Sequence, residues 1–201
     1  MAGRVSGDRL EFGIGVLGGP TTVLDIAGTR LVMDPTFDPP GEKGYLTKTR
    51  GPAVSEDELG PVDVVLVSHD LHPDNLDESG RRFALAAPCL LSGPRAAARL
   101  GSIAAVADVA RRIGPIDVAV LFVGAARVPT KERGRPLTLT SQRAAAAAAV
   151  LGVAAVIPAH YDSWAHFSEG ADEIVAAFDD AGLAHLLQLA RPGDWTIPAV
   201  G

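Results

Sequence analysis

A single cysteine in 201 residues, Cys89, excludes an internal disulfide and any cysteine-rich zinc cluster. Its neighbours Ala87, Pro88, Leu90 and Leu91 are apolar, which predicts a buried, inert thiol. Positive charge is also scarce. With 24 acidic against 18 basic residues the net charge is -6, and no dense Lys/Arg block is present. There is thus little electrostatic basis for holding a polyanion, and no nucleic-acid partner is expected. No apolar run approaches the roughly 20 residues that cross a bilayer. The charges in the opening MAGRVSGD fall where a secretory leader needs its apolar core. No membrane association is expected, and the cytoplasm is the expected compartment. No serine sits in a Gly-x-Ser-x-Gly elbow, which leaves covalent nucleophilic catalysis without support.

What is present is an ordinary globular composition, 47% hydrophobic with mean hydropathy +0.20, at a length that suits a single domain with its own core. Strands are predicted over 10–16, 21–26 and 29–33, with a turn at Ala27-Gly28, giving a β-meander. Residues 35–61 are crowded with Pro, Gly, Lys and Glu, and predict a long loop of the kind that often serves as a lid or binding segment. The β-branched run 62–67 predicts a buried strand. Beyond it the pattern alternates. Helices are expected over 78–86, 94–100, 103–113, 140–151 and 168–181, with Thr140 as an N-cap and Gly182 closing the last helix. Strands are expected over 88–91, 116–123, 153–157 and 185–189. The fold class is α/β.

Two segments carry chemistry. The first is Ser68-His69-Asp70-Leu71-His72-Pro73-Asp74-Asn75, where two imidazoles and up to four carboxylates (Asp70, Asp74, Asp77, Glu78) fall within ten positions at a strand-to-loop junction. Neutral imidazole nitrogen and carboxylate oxygen suit zinc, manganese or iron, and the lack of thiolate favours a catalytic over a structural ion. A solvated polar loop is the alternative from spacing alone, because His and Asp are common in turns. The second is His160, which follows an apolar strand. Ligand sites in open α/β sheets gather beyond the carboxyl ends of strands. His166, between Trp164 and Phe167, is expected to be packed. Gly13-Ile14-Gly15-Val16-Leu17-Gly18 matches the dinucleotide fingerprint in letters only, since β-favouring sequence and not a helix follows it.

With these residues set out, the chain resembles the metallo-β-lactamase fold hydrolases, in the branch that includes ascorbate-6-phosphate lactonase. The resemblance lies in the segments 19–25, 31–35, 64–77 and 154–161. The third looks like a variant of the family signature His-x-His-x-Asp-His, with one inserted residue and Asn75 in place of the last histidine. It implies an αββα sandwich, a small-molecule substrate, and water activated by a divalent metal, zinc first and manganese or iron next, for attack on an ester, lactone, amide or phosphodiester. Carried over by motif, His69, His72, Asp74 and His160 are the metal ligands. Asp74 serves a second metal or holds the nucleophilic water, and Asp34 lies near the site as support. The chain departs from the family in having no histidine from Asn75 to Ala159 and in an abrupt passage near 101–103, where central strands are expected. Loss of those strands implies an open sheet edge and a homo-oligomer, or a catalytically silent relative that serves as a binding domain.

Overall fold

The computed structural model describes residues 3–69, 71–92, 114–130 and 134–198. They fall into two compact units, the first comprising Met1–Ala97, Ser163–Ala165 and Ala190–Ile197, the second the remainder.

The first unit opens with the expected meander: β1 (Phe12–Gly18), β2 (Thr21–Ile26) and β3 (Thr29–Met33), paired antiparallel in that order. Ala27 and Gly28 both have positive φ, 48° and 78°. That suits a two-residue hairpin turn, whose twist must match its strands. Next come a short hairpin, β4 (Gly41–Lys43) with β5 (Leu46–Lys48), then α1 (Glu56–Leu59), β6 (Val64–Val67), α2 (Glu78–Ala86) and β7 (Cys89–Ser92). The strands β8 (Val118–Phe122) and β9 (Ala155–Ala159) belong to the second unit, and β10 (Trp195–Thr196) returns to the first. The main sheet has the order β10-β1-β2-β3-β6-β7, with β3, β6 and β7 parallel. Leu17, Val23, Val32, Val65 and Val67 from its strands pack with Phe37, Val54, Leu59, Ala84 and Trp195.

The glycines that mimic a nucleotide fingerprint lie inside β1 and serve packing. A Cβ at Gly15 would lie 2.5 Å from the Val5 side chain, and one at Gly13 would lie 3.0 Å from the Trp195 ring. At the start of β3 sits a buried ion pair. Arg30 donates from Nε to Asp25 Oδ1 and from Nη2 to Asp25 Oδ2, both at 2.7 Å. Its other donors reach the carbonyls of Ser6, Leu59 and Asp8. All five guanidinium N–H groups are thereby used, the condition for tolerating a charge with no solvent exposure.

Among its described residues the second unit contains the parallel pair β8–β9 and the helices α3 (Ser141–Leu151) and α4 (Ala171–Asp180). Thr140 caps α3 as expected, accepting the Arg143 N–H. Ala144, Ala145 and Ala148 on α3 pack with Val123, Val153, Val156, Ile174 and Phe178.

Several expectations need correction. Residues 35–61 are not one loop. They hold β4–β5, whose three-residue strands are too short to show periodicity, and α1, whose Ser55/Glu58 capping box was present in the sequence. The strand ending at Ile157 instead continues through Pro158 to Ala159. α4 starts at Ala171, where the Glu173 carboxylate accepts the Gly170 N–H at 2.8 Å. In place of a strand over 185–189 there is a 3-10 turn, Ala184–Leu186, and a single bridge from Leu187 to Val156. Cys89 is exposed, not buried: among the described residues β7 is the outermost strand on its side of the sheet, and Leu90 and Leu91 are exposed there as well. The expected helices over 94–100 and 103–113, and the abrupt passage near 101–103, lie outside the described residues. Among the described residues no helix is long and apolar enough to cross a membrane.

Candidate functional site

β3 and β6 run parallel with Met33 opposite Leu66, so Asp34 and Ser68 emerge at the same edge of the first unit's sheet. Asp34 turns there with φ +44°, an uncommon conformation that Asp tolerates better than most residues. The surroundings fix it. Its N–H donates to Leu66 O at 2.9 Å, and its carbonyl accepts the Thr21 hydroxyl at 3.0 Å. Its fully buried carboxylate accepts the Ser68 N–H at 2.7 Å on Oδ1, and on Oδ2 the Ser68 hydroxyl at 2.7 Å and the Asn75 amide at 3.2 Å.

These bonds decide the state of the next side chain. The Ser68 hydroxyl spends its proton on Asp34, so toward His69 Nδ1, 3.0 Å away, it acts as acceptor. His69 is therefore oriented to donate from Nδ1, the tautomer that leaves Nε2 as the acceptor nitrogen of a neutral ring. The His72 ring lies with its centroid 5.2 Å from that of His69, at 67°. Its carbonyl accepts the N–H groups of Asn75 and Leu76 at 3.1 and 3.2 Å, forming a single turn. The His72 Nδ1 meets the hydroxyl of Tyr45, a residue in the turn of the β4–β5 hairpin. Burial pushes the Tyr45 phenol above its usual pKa, and the Asp74 carboxylate raises it further. Asp74 and Asn75 are themselves buried.

Asp77 and Glu78, two of the candidate carboxylates, have other work. Asp77 caps α2, accepting the Gly80 N–H at 2.8 Å, and accepts the Phe37 and Asp38 N–H groups at 3.0 and 2.8 Å. It also pairs with buried Lys48, Nζ to Oδ2 3.0 Å. Burial lowers the Lys48 pKa, and Asp77 opposes that. Lys48 also donates to Thr36 O at 2.9 Å and lies 5.5 Å from the centre of the Trp164 ring. Glu78 is exposed and faces Arg82 at 3.8 Å. Asp38 receives Lys43 at 2.8 Å and the Ser79 N–H at 3.0 Å. Burial acts to raise its pKa, but the hydrogen bonds from Lys43 and Ser79 prevail and hold it at about 2.

In the second unit, His160 follows β9 with φ +59° and is buried. Its ring contacts Phe167 at 4.6 Å and Phe122 at 5.1 Å between centroids, with His166 at 6.4 Å. A Cβ at Gly124 would lie 2.3 Å from the His160 carbonyl oxygen, so glycine is needed for that close approach. His166 stacks on Phe167 at 4.6 Å.

Imidazole fits a divalent ion chemically, and two rings bound to one tetrahedral ion through nitrogens about 2.1 Å from it have centres about 5 Å apart. The His69/His72 spacing agrees with that. Among the described residues no group of three or more His, Cys, Asp or Glu side chains is placed to hold an ion. Asp70 lies outside the described residues. Sequence reasoning missed Tyr45 and Lys48, both hidden in a segment read as loop. The signal that could have found Tyr45 is a lone aromatic between Gly44 and Leu46 in an otherwise polar stretch.

No protein-family model matches the chain, and no curated protein does. Solved structures do. An isothiocyanate hydrolase from Delia radicum gut bacteria superposes with TM-score 0.74 at 14% identity, covering 94% of this chain and 100% of its own. A possible metal-dependent hydrolase from Veillonella parvula gives TM-score 0.74 at 14% identity, covering 92% and 98%. A metallo hydrolase from the hyperthermophilic archaeon Ignicoccus hospitalis gives 0.57 at 13%, covering 92% and 97%. At these identities the likeness establishes the α/β fold shared with these structures, and a fold alone does not assign a reaction.

Proposed function

Starting from the fold shared with these hydrolases, we propose that the chain is a metal-dependent hydrolase acting on a small-molecule ester, lactone, amide or phosphodiester. A divalent ion, zinc before manganese or iron, would be held by His69 and His72. Asp74 joins them as proposed ligand and as proton acceptor for the attacking water. His160 is proposed as a late ligand on the strength of the motif. When bound, such an ion lowers the pKa of water to near 7 and polarises the bond under attack. The chain's own residues supply the rest. Asp34 and Ser68 hold the His69 proton on Nδ1, Asn75 ties the loop back to Asp34, and the Asp74 carboxylate takes up the proton that water gives up.

The single observation that carries the proposal is the His69/His72 pair at 5.2 Å with a hydrogen-bonded relay behind His69, since ligating histidines characteristically donate their second N–H to such a partner. The test is metal analysis of the purified full chain together with melting in added zinc or manganese. Bound metal, or a raised melting temperature with either ion, is expected. Metal-free protein that gains no stability from either ion would overturn the proposal.

A second reading, a catalytically silent relative that serves as a binding domain, is favoured by the absence among the described residues of a third grouped donor. Assays of generic esters, lactones and phosphodiesters with added metal separate the two. Turnover that disappears in His72→Ala excludes the silent reading.

A further inference from the structure

We propose that Tyr45 is a positioning residue for His72: from the turn of the β4–β5 hairpin, its hydroxyl fixes the ring orientation and tautomer that His72 presents. The consequence for metal binding rests on the function proposed above, whereas the orienting of the ring can be read without any metal.

The hairpin is two three-residue strands joined by Gly44-Tyr45, with Gly44 at φ +65° and Lys43 paired to Leu46. So short a hairpin has no stability of its own. Its surroundings fasten it instead. Leu46 is buried, Lys43 pairs with Asp38, and Lys48 pairs with Asp77. Asp77 is also the cap at which the His69–Leu76 loop ends and α2 begins. Tyr45 lies three residues before Lys48 and His72 five residues before Asp77, so this ion pair ties together the two segments that carry them.

The contact is directional as well. The Tyr45 and His72 rings meet edge to face, 6.1 Å between centroids at 79°, with the phenol oxygen on Nδ1. The phenol oxygen can accept from Nδ1–H, which leaves the Nε2 lone pair for an ion. His69 is oriented from the sheet by Ser68, and His72 from the hairpin by Tyr45. Each ring thus has a hydroxyl on its Nδ1. Stacking alone would need only the tyrosine ring, and orientation needs the hydroxyl, so Tyr45→Phe separates the two.

The experiment compares wild type with Tyr45→Phe in the full chain. It records ring-nitrogen NMR shifts of His69 and His72 without metal, above the imidazole titration, and zinc affinity by competition with a chelating dye. We expect one tautomer for His72 in wild type, with the proton on Nδ1, and a mixture in Tyr45→Phe, while His69 is unchanged. Zinc affinity should fall about 10- to 100-fold, the usual result of removing a ligand's orienting partner, with the melting temperature nearly unaltered. His72 shifts identical in the two proteins, or zinc bound equally by both, would overturn the positioning role and leave the metal proposal standing. A tautomer change in a wild-type protein that binds no zinc would support the positioning role and remove the metal proposal.

Discussion

The two ends of β3 each carry a buried, hydrogen-bonded charge, and the two are bonded to different purposes. At the start, Arg30 satisfies all its donors with Asp25 and three backbone carbonyls, so its network closes on buried carboxylate and backbone. Just past the other end, Asp34 gathers Ser68 and Asn75, and through Ser68 sets the proton on His69. A closed network holds the sheet together, whereas one that passes its order on to an imidazole positions chemistry. A buried carboxylate by itself does not distinguish them. What it is bonded to does.

Breaking the closed end should have the largest effect. Arg30→Met leaves Asp25 buried and unpaired, and about 3 to 5 kcal/mol of stability should be lost in urea unfolding. Arg30→Met combined with Asp25→Leu should recover much of it. A single variant as stable as wild type would show that this pair does not hold the sheet. At the open end, Asp34→Ala should lower stability by about 1 to 3 kcal/mol through the unmatched Ser68 and Asn75 donors, and weaken zinc binding about 10- to 100-fold in calorimetric titration. Ser68→Ala keeps the acceptor and removes only the relay. Its stability should change by no more than about 1.5 kcal/mol, with the loss appearing mainly in zinc affinity. Equal losses of stability at both ends, with affinity untouched, would erase the distinction.

The smallest effect concerns Asp38, beside the hairpin. Its folded pKa of about 2 lies below its ordinary value of 3.8, so its ionised form stabilises the folded state above the ordinary value. That contribution fades as pH falls from about 4 toward 2. Lys43→Gln, which removes one of the hydrogen bonds responsible, should make melting temperature less pH-dependent in that window. An unchanged pH profile would show that Lys43 does not hold Asp38 down.

Much of this was legible in the sequence, for reasons that differ by element. The meander was readable because Ala27-Gly28 marks a turn between β-favouring runs, and α2 lies over the residues expected, 78–86, whereas the role of Asp77 as its cap was not read. The placement of His69 beyond β6 followed from the β-branched run before it. Tyr45 and Lys48 were not readable, since the partners that order their hairpin, Asp38, Asp77 and His72, are brought to it by the fold and not by local pattern. The exposure of Cys89 was misjudged because apolar neighbours along a strand do not reveal whether it lies at a sheet edge.

The central claim is that the open end of β3 supports a metal-binding histidine pair. Its most direct test is calorimetric titration of zinc into the chelator-treated full chain, for wild type, His69→Ala and His72→Ala. Binding by wild type that is lost in each variant, while both variants melt within a few degrees of wild type, is the predicted result. Heat of binding absent from wild type, or undiminished in the two variants, would contradict it.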